Sequence, residues 1–282
     1  DGSLTGTQTF TVTVTPVNDA PTLAAVSTVT FDEDGSGSTT LSGDDIDGDA
    51  LTFSLATDAT NGSVLISGSV ATYSPNQDFN GTDSFTFTVS DGNLSDDASV
   101  TLSVDAVNDA PVLASVSDVS FDEDGSGSIS LSGSDVDGDD LTFSITGGAD
   151  ITAALDGSDV TFSAPADFNG SETFNVSVTD GSLDDSQSFT VTVLAVNDAP
   201  VANAASVATD EDQTIIVSLE ASDVDGDALT YSLDTAAANG SVVIDGSLAT
   251  YVPDQDFNGS DSFTFTVSDG EYTTSAEITV TV

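Results

Sequence analysis

The chain has 282 residues and a formal net charge of −49, with 49 acidic residues and no Lys, Arg, His, Cys, Met or Trp. This composition excludes salt bridges, Schiff-base lysines, histidine bases, cysteine nucleophiles, thiolate or imidazole metal sites and lysine-based isopeptide cross-links. Nothing in it can neutralise phosphate, so nucleic acid is excluded as a partner, and an oxygen-rich surface suited to hard cations remains.

In chain order the sequence repeats itself. Val-Asn-Asp-Ala-Pro begins at Val17, Val107 and Val196, and Asp-Glu-Asp at Asp32, Asp122 and Asp210. Asp-x-Asp-Gly-Asp begins at Asp45, Asp135 and Asp223. Asp-Phe-Asn-Gly begins at Asp78, Asp167 and Asp256, and Asp-Gly returns at Asp91, Asp180 and Asp269. Three modules are therefore expected, at 16–105, 106–194 and 195–282. Residues 1–15 read as the last strand of a preceding repeat. Asp1-Gly2-Ser3-Leu4 aligns with Asp91-Gly92-Asn93-Leu94, and Phe10 to Val14 has no sheet to join. The chain thus reads as a window on a longer array.

Seven strands are predicted in module one, at about 22–31, 38–42, 50–56, 63–67, 70–74, 83–90 and 97–104. Phe85, Phe87 and Val89 alternate with Thr86 and Thr88, the period-two pattern of a half-buried strand. Seven short strands in a module of this size fit an immunoglobulin-like sandwich. A small barrel or a β-solenoid is the alternative, and a solenoid would repeat at shorter periods. The expected fold is all-β, tandem immunoglobulin/cadherin-like β-sandwiches forming a linear rod.

Loops of a sandwich alternate between its two ends, which brings the repeated acids together at each module junction. At the first junction the preceding module supplies Asp32, Glu33, Asp34 and Asp78, and the linker adds Asp105, Asn108 and Asp109. Asp135, Asp137, Asp139 and Asp180 come from the following module. The second junction repeats this with Asp122, Glu123, Asp124, Asp167, Asn197, Asp198, Asp223, Asp225, Asp227 and Asp269. Leu194 stands there in place of Asp105, so one ion fewer, or a weaker one, is expected. Asn18, Asp19, Asp45, Asp47, Asp49 and Asp91 form the corresponding set at the start of module one. Carboxylates this dense need a countercharge that the chain lacks, and six to eight oxygens suit Ca²⁺ better than Mg²⁺. Turn formation and solubility alone account for Asp156, Asp159, Asp184 and Asp185.

Asn108-Asp109-Ala110-Pro111 resembles the cadherin linker signature. Asp135-x-Asp137 resembles the paired ligands of a cadherin loop, and Glu33 matches that family's loop glutamate. The whole chain resembles the tandem cadherin-like repeats of giant bacterial surface adhesins. That resemblance implies Ca²⁺ at the junctions, a stiffened array and an extracellular or cell-surface location. The Asp-Arg-Glu motif of animal cadherins is missing, with Asp78-Phe79-Asn80-Gly81 in its place, and no Trp is available for strand swapping.

Asp45-x-Asp-Gly-Asp is not an EF-hand, because its glycine stands fourth rather than sixth. The acids form no unique pair in a cleft, so no enzyme is expected. Neighbouring repeats are the expected partners, with identical chains in a fibre as a further partner. No direct membrane insertion is expected in this segment. The expected function is an extender of a cell-surface adhesin or extracellular fibre. The alternative is a binding module that self-associates or holds a glycan.

Overall fold

The computed structural model describes residue 2 and residues 5–282. Asp1, Ser3 and Leu4, part of the expected leading fragment, lie outside the described residues. Phe10 to Val14 belongs to no strand, and its apolar side chains are exposed.

Module one holds β1 (Thr22–Leu23), β2 (Val29–Asp32), β3 (Gly37–Thr40), β4 (Gly43–Asp44), β5 (Thr52–Thr57), β6 (Gly62–Ser67), β7 (Val70–Pro75), β8 (Gly81–Ser90) and β9 (Ser95–Asp105). Module two holds β10 (Val112–Leu113), β11 (Val119–Asp122), β12 (Gly127–Ser130), β13 (Gly133–Ser134), β14 (Thr142–Gly147), β15 (Thr152–Asp156), β16 (Asp159–Ser163), β17 (Gly170–Thr179) and β18 (Asp184–Leu194). Module three holds β19 (Val201–Ala202), β20 (Ala205–Ala208), β21 (Ile215–Ser218), β22 (Ala221–Ser222), β23 (Thr230–Thr235), β24 (Gly240–Asp245), β25 (Leu248–Pro253), β26 (Ser260–Ser268) and β27 (Thr273–Thr281).

Each module sets a four-stranded sheet against a three-stranded one. In module one these run β2-β9-β8-β5 and β3-β7-β6, and β1 pairs with β4. The predicted first strand is therefore two strands in two sheets. β1 is antiparallel to β4, whereas β2 runs parallel to the last strand, β9. The alternation then sorts the side chains. Phe85, Phe87 and Val89 are almost fully buried, and Phe85 and Phe87 share a core with Tyr73, Val100 and Leu102. Each such side chain contributes about 1.5–3 kcal/mol. Modules two and three build their own cores, around Phe162, Phe174 and Phe189 and around Tyr251, Phe263 and Phe265.

The outer faces of the four-stranded sheets are rich in Ser and Thr, and their hydroxyls meet across strands. Thr86 lies 3.2 Å from Ser99, Ser171 2.9 Å from Thr192, and Thr266 2.9 Å from Ser275. Most acids are left to the loops.

One buried acid is structural. In module three Asp261, 6% exposed, accepts the backbone N–H groups of Ala238 (3.0 Å), Asn239 (2.8 Å) and Ser262 (2.9 Å) and the Tyr251 hydroxyl (3.0 Å). Asp83 does the same in module one for Thr60, Asn61, Ser84 and Tyr73. Module two has Phe162 in place of the tyrosine, and Glu172 takes the N–H groups of Ala149, Asp150 and Ile151. The loop that Glu172 holds turns at Gly148, where φ is +78°. A Cβ there would run into the carbonyl oxygen of Ile151 and the ring of Phe174. Gly148→Ala is expected to destabilise module two by about 2–3 kcal/mol, read as a drop in the urea midpoint of the intact chain.

By compactness the chain divides into two units. One is Asp1–Pro111 with Asp135–Asp140; the other is Val112–Ser134 with Leu141–Val282. The Asp-x-Asp-Gly-Asp loop of module two thus belongs to the first unit, and each of the two junction acid sets described next lies within one unit.

Candidate metal centres

In the first unit Glu33 is 3% exposed. It follows the parallel β2–β9 ladder, where its N–H donates to the Asp105 carbonyl (3.1 Å). Its Oε1 accepts the Val107 N–H at 2.7 Å, and its Oε2 accepts the Asn80 amide at 3.3 Å. The linker backbone is thereby held against the end of module one. Asp109 donates its N–H to Asp137 Oδ2 at 2.8 Å. Carboxylate oxygens of Glu33, Asp109 and Asp137 lie within 4.8 Å of one another, as do those of Asp34, Asp78 and Asp109 and those of Asp135, Asp137 and Asp139.

The second unit repeats this between modules two and three. Glu123, 5% exposed, accepts the Val196 N–H at 2.6 Å through Oε1. Asp198 donates its N–H to Asp225 Oδ2 at 2.8 Å. Glu123, Asp198 and Asp225 form one cluster, and Asp124, Asp167 and Asp198 another. Leu194 donates no side-chain oxygen, yet its carbonyl accepts the Glu123 N–H at 2.9 Å, as the Asp105 carbonyl does for Glu33. The substitution therefore leaves the backbone of the site unchanged, and Asp105 itself has an exposed side chain.

The Asp-x-Asp-Gly-Asp loops close on their first aspartate. Asp135 Oδ1 accepts the N–H groups of Asp137 (2.9 Å), Gly138 (3.1 Å) and Asp139 (3.4 Å). Asp223 Oδ1 does the same for Asp225, Gly226 and Asp227, and Asp45 Oδ1 for Asp47 and Asp49. The other oxygen of each is buried and has no hydrogen-bond partner. So are Asp109 Oδ2 and Glu123 Oε2. An ionised carboxylate only accepts hydrogen bonds, and leaving a buried acceptor unmatched is costly. Five orphaned carboxylate oxygens in these sets fit a hard cation with oxygen ligands. The electrostatics agree. Desolvation pushes the Asp109 carboxyl up, with the charges of Asp34, Asp78, Asp137 and Glu33 adding to it. For Asp198 desolvation is again first, followed by Asp167, Asp225, Asp124 and Glu123.

At the start of module one Asp19 donates its N–H to Asp47 Oδ2 at 2.8 Å. Asn18 donates its side-chain amide to Asp91 Oδ2 at 2.8 Å, and Asn197 does so to Asp269 Oδ2 at 3.0 Å. Asp91 and Asp269 also hold the turns that follow them, through Leu94 and Asn93 and through Glu271 and Tyr272. Both oxygens of these two aspartates are thus engaged. The Leu94 N–H and the Asn18 amide hold Asp91 below the usual carboxylate range, and the Asn197 amide leads the same effect at Asp269. Asn108 likewise donates to the carbonyl of Asp109, at 3.0 Å. Asp32 and Asp122 sit at strand ends with exposed carboxylates, while their carbonyls accept Gly35 and Gly125. Asp34, Asp49, Asp124, Asp139 and Asp227 are exposed loop acids. Asp78, Asp124 and Asp167 turn in the left-handed region, at φ 57°, 61° and 57°.

Two features of these acid sets go beyond what the sequence shows. Asn80 supports Glu33, for which the repeated Asp-Phe-Asn-Gly was the available signal. The third Asp-Glu-Asp, at Asp210, is displaced. By ladder position Thr209, whose N–H donates to the Thr281 carbonyl at 3.0 Å, stands where Glu33 and Glu123 stand, and Glu211 is exposed.

Fold and geometry define a protein of three tandem immunoglobulin/cadherin-like β-sandwiches. The bacterial Ig domain family matches residues 18–103, 108–193 and 197–282, and the chain belongs to that family. Among curated proteins, none matches the chain by sequence. Among solved structures the chain is similar to protocadherin gamma B2 extracellular cadherin domains 1–5, at 17% identity and a TM-score of 0.56, covering 93% of this chain and 60% of that one. For protocadherin gamma B7 extracellular cadherin domains 1–4 the values are 16%, 0.54, 94% and 77%. The chain spans less than half the length, 44%, of an endo-fucoidan hydrolase from glycoside hydrolase family 107, at 19% identity, 94% coverage of this chain and a TM-score of 0.29. Among the described residues no helix is long and apolar enough to cross a membrane.

Proposed function

We propose that the chain is an extender segment of an extracellular or cell-surface adhesive protein, stiffened by Ca²⁺ at its module junctions. The observation that carries this reading is Glu123. It is buried, one oxygen holds the linker amide of Val196, and the other has no partner among aspartates from both modules. Glu33, Asp34, Asp78, Asp109 and Asp137 would hold an ion in the first unit. Glu123, Asp124, Asp167, Asp198 and Asp225 would do so in the second. Bound Ca²⁺ would supply countercharge to carboxylates from two modules and the linker at once. Extracellular modules of this kind bind at about 10⁻⁴–10⁻³ M.

The test is small-angle scattering of the whole chain in millimolar Ca²⁺ and then in chelator. The expected result is a rod-like profile with Ca²⁺ and a broader distribution of shapes without it. A profile indifferent to Ca²⁺ sinks the reading.

The alternative, a binding module, is favoured by one observation. Ile216 and Val243 flank Thr250 in register on the outer face of module three and are 65% and 66% exposed. Module two has Ser128 and Ala154 flanking Thr161 at the same place.

A further inference from the structure

In every module the first strand of the four-stranded sheet runs parallel to the last strand. Val29 pairs with Leu102, Val119 with Val191 and Ala205 with Ile278. The chain enters a module before this ladder and leaves after it. Tension along the chain therefore shears all the ladder bonds together instead of opening them one by one. Ahead of the ladder lies the opening segment, which includes β1, β10 or β19 and has a two-residue ladder of its own.

Module two holds its opening segment differently. Leu113 donates its N–H to Asp185 Oδ2 at 2.9 Å, and Val116 donates its N–H to Gln187 Oε1 at 2.6 Å. In the other direction, Thr190 donates its N–H to Asp118 Oδ1 at 2.7 Å. These three bonds tie residues 113–118 to β18 outside any ladder. Gln187 stands four residues before the ladder partner of Val119. The same count gives Ala98 in module one and Thr274 in module three. The Ala98 side chain has no acceptor, and the Thr274 hydroxyl donates to the Pro200 carbonyl at 2.5 Å. Asp118, one residue before the ladder, is matched by Thr28 and Ala204.

We propose that the three modules are graded in mechanical strength, with module two the last to yield because Asp118, Asp185 and Gln187 lock its opening segment to its last strand. Two of the three bonds have a carboxylate acceptor, the stronger kind of hydrogen bond, and all three must break before the segment can peel. Modules one and three would release their opening segments first and lengthen the chain while module two stays folded.

The grading rests on the reading of the chain as an extender under load, and the test separates the two. The whole chain, with a cysteine added at each end for handles, is held at constant force in an optical trap. Three unfolding steps are expected, one with a clearly longer dwell. Asp118→Ala with Gln187→Ala should shorten that dwell about tenfold or more, the scale of one lost hydrogen bond to a charged group. Thr28→Asp with Ala98→Gln should lengthen one of the shorter dwells. In the unloaded wild-type chain, hydrogen exchange should be slower over 113–118 than over 23–28. A longest dwell unchanged by the double variant, or equal exchange in the two segments, overturns the grading. If the dwell shortens while small-angle scattering ignores Ca²⁺, the grading stands and the calcium-stiffened extender falls.

Discussion

Millimolar Ca²⁺ is expected to raise the melting temperature of module three, and Glu123→Gln to remove much of that rise while leaving the calcium-free protein at least as stable. At about 5 mM free ion and the affinities of extracellular modules, mass action contributes about 1–2 kcal/mol per ion. For a module of this size that is about 5–15 °C. Gln at 123 keeps an oxygen for the Val196 N–H, so the linker stays held. Its amide nitrogen would replace an orphaned anion beside Asp198 and Asp225, which relieves the ion-free state and deprives a cation of a ligand. Tyrosine fluorescence is the convenient readout. The chain has no Trp and four Tyr, and Tyr231, Tyr251 and Tyr272 are all in module three. An equal Ca²⁺ response in wild type and variant would mean that the junction acids are solvated turns.

Asp261→Ala is expected to lower the stability of module three by about 3 kcal/mol or more. Three backbone N–H groups lose their acceptor, the Tyr251 hydroxyl keeps only the Asn239 carbonyl at 3.3 Å, and each unmatched buried group costs about 1–3 kcal/mol. The tyrosine-reported transition should fall by roughly 15 °C or more. The same residue predicts a pH dependence. Burial pushes Asp261 up, but the N–H groups of Asn239, Ala238 and Ser262 and the Tyr251 hydroxyl outweigh it and hold the group below the usual range. A depressed carboxyl contributes stability that is present above its unfolded value, about pH 4, and is lost as pH falls through its folded value. Tyr251, whose own pKa is pushed up to about 12 by burial and by Asp261, stays protonated throughout. In acid titration of the calcium-free chain, wild type should lose stability below about pH 4 more steeply than Asp261→Asn. Parallel curves would remove Asp261 from the account.

The sandwich was legible because its strands alternate strictly and its turns repeat. Phe85, Phe87 and Val89 announce a half-buried strand, and the buried set is the one that the alternation names. The split of the first strand was not legible. Val26 and Val29 stand three residues apart yet both pack on the same core, which one strand of period two cannot do, so a single break in the alternation, within a run otherwise rich in strand formers, is all that marks the change of sheet between β1 and β2. The convergence of Glu33, Asp109 and Asp137, and of Glu123, Asp198 and Asp225, followed from loop alternation alone. The roles of individual acids did not. Asp91 and Asp135 both open repeated loop motifs, yet one has both oxygens bonded and the other has one buried and free. Asp83, Glu172 and Asp261 passed unnoticed, because a single acid in a Ser/Thr strand gives no sign that it faces loop amides. The string Asp-Glu-Asp marks the repeat at Asp210 without marking the glutamate's place, which backbone pairing gives to Thr209.

The hydroxyl-covered sheet faces have a consequence for how so acidic a chain is built. Charge is concentrated at strand ends. The ten residues of β17 separate the Asp180 turn from the loop around Asp167, a run of about 33 Å at the usual rise of a strand. The screening length in physiological salt is about 8 Å. A carboxylate at one end of the module is therefore nearly invisible to those at the other. The electrostatic potential at a joint is set by the few acids of that joint and not by the total of −49. Appending a module adds charge to the molecule without making any joint harder to close, so extreme acidity sets no limit on how many such modules can follow one another.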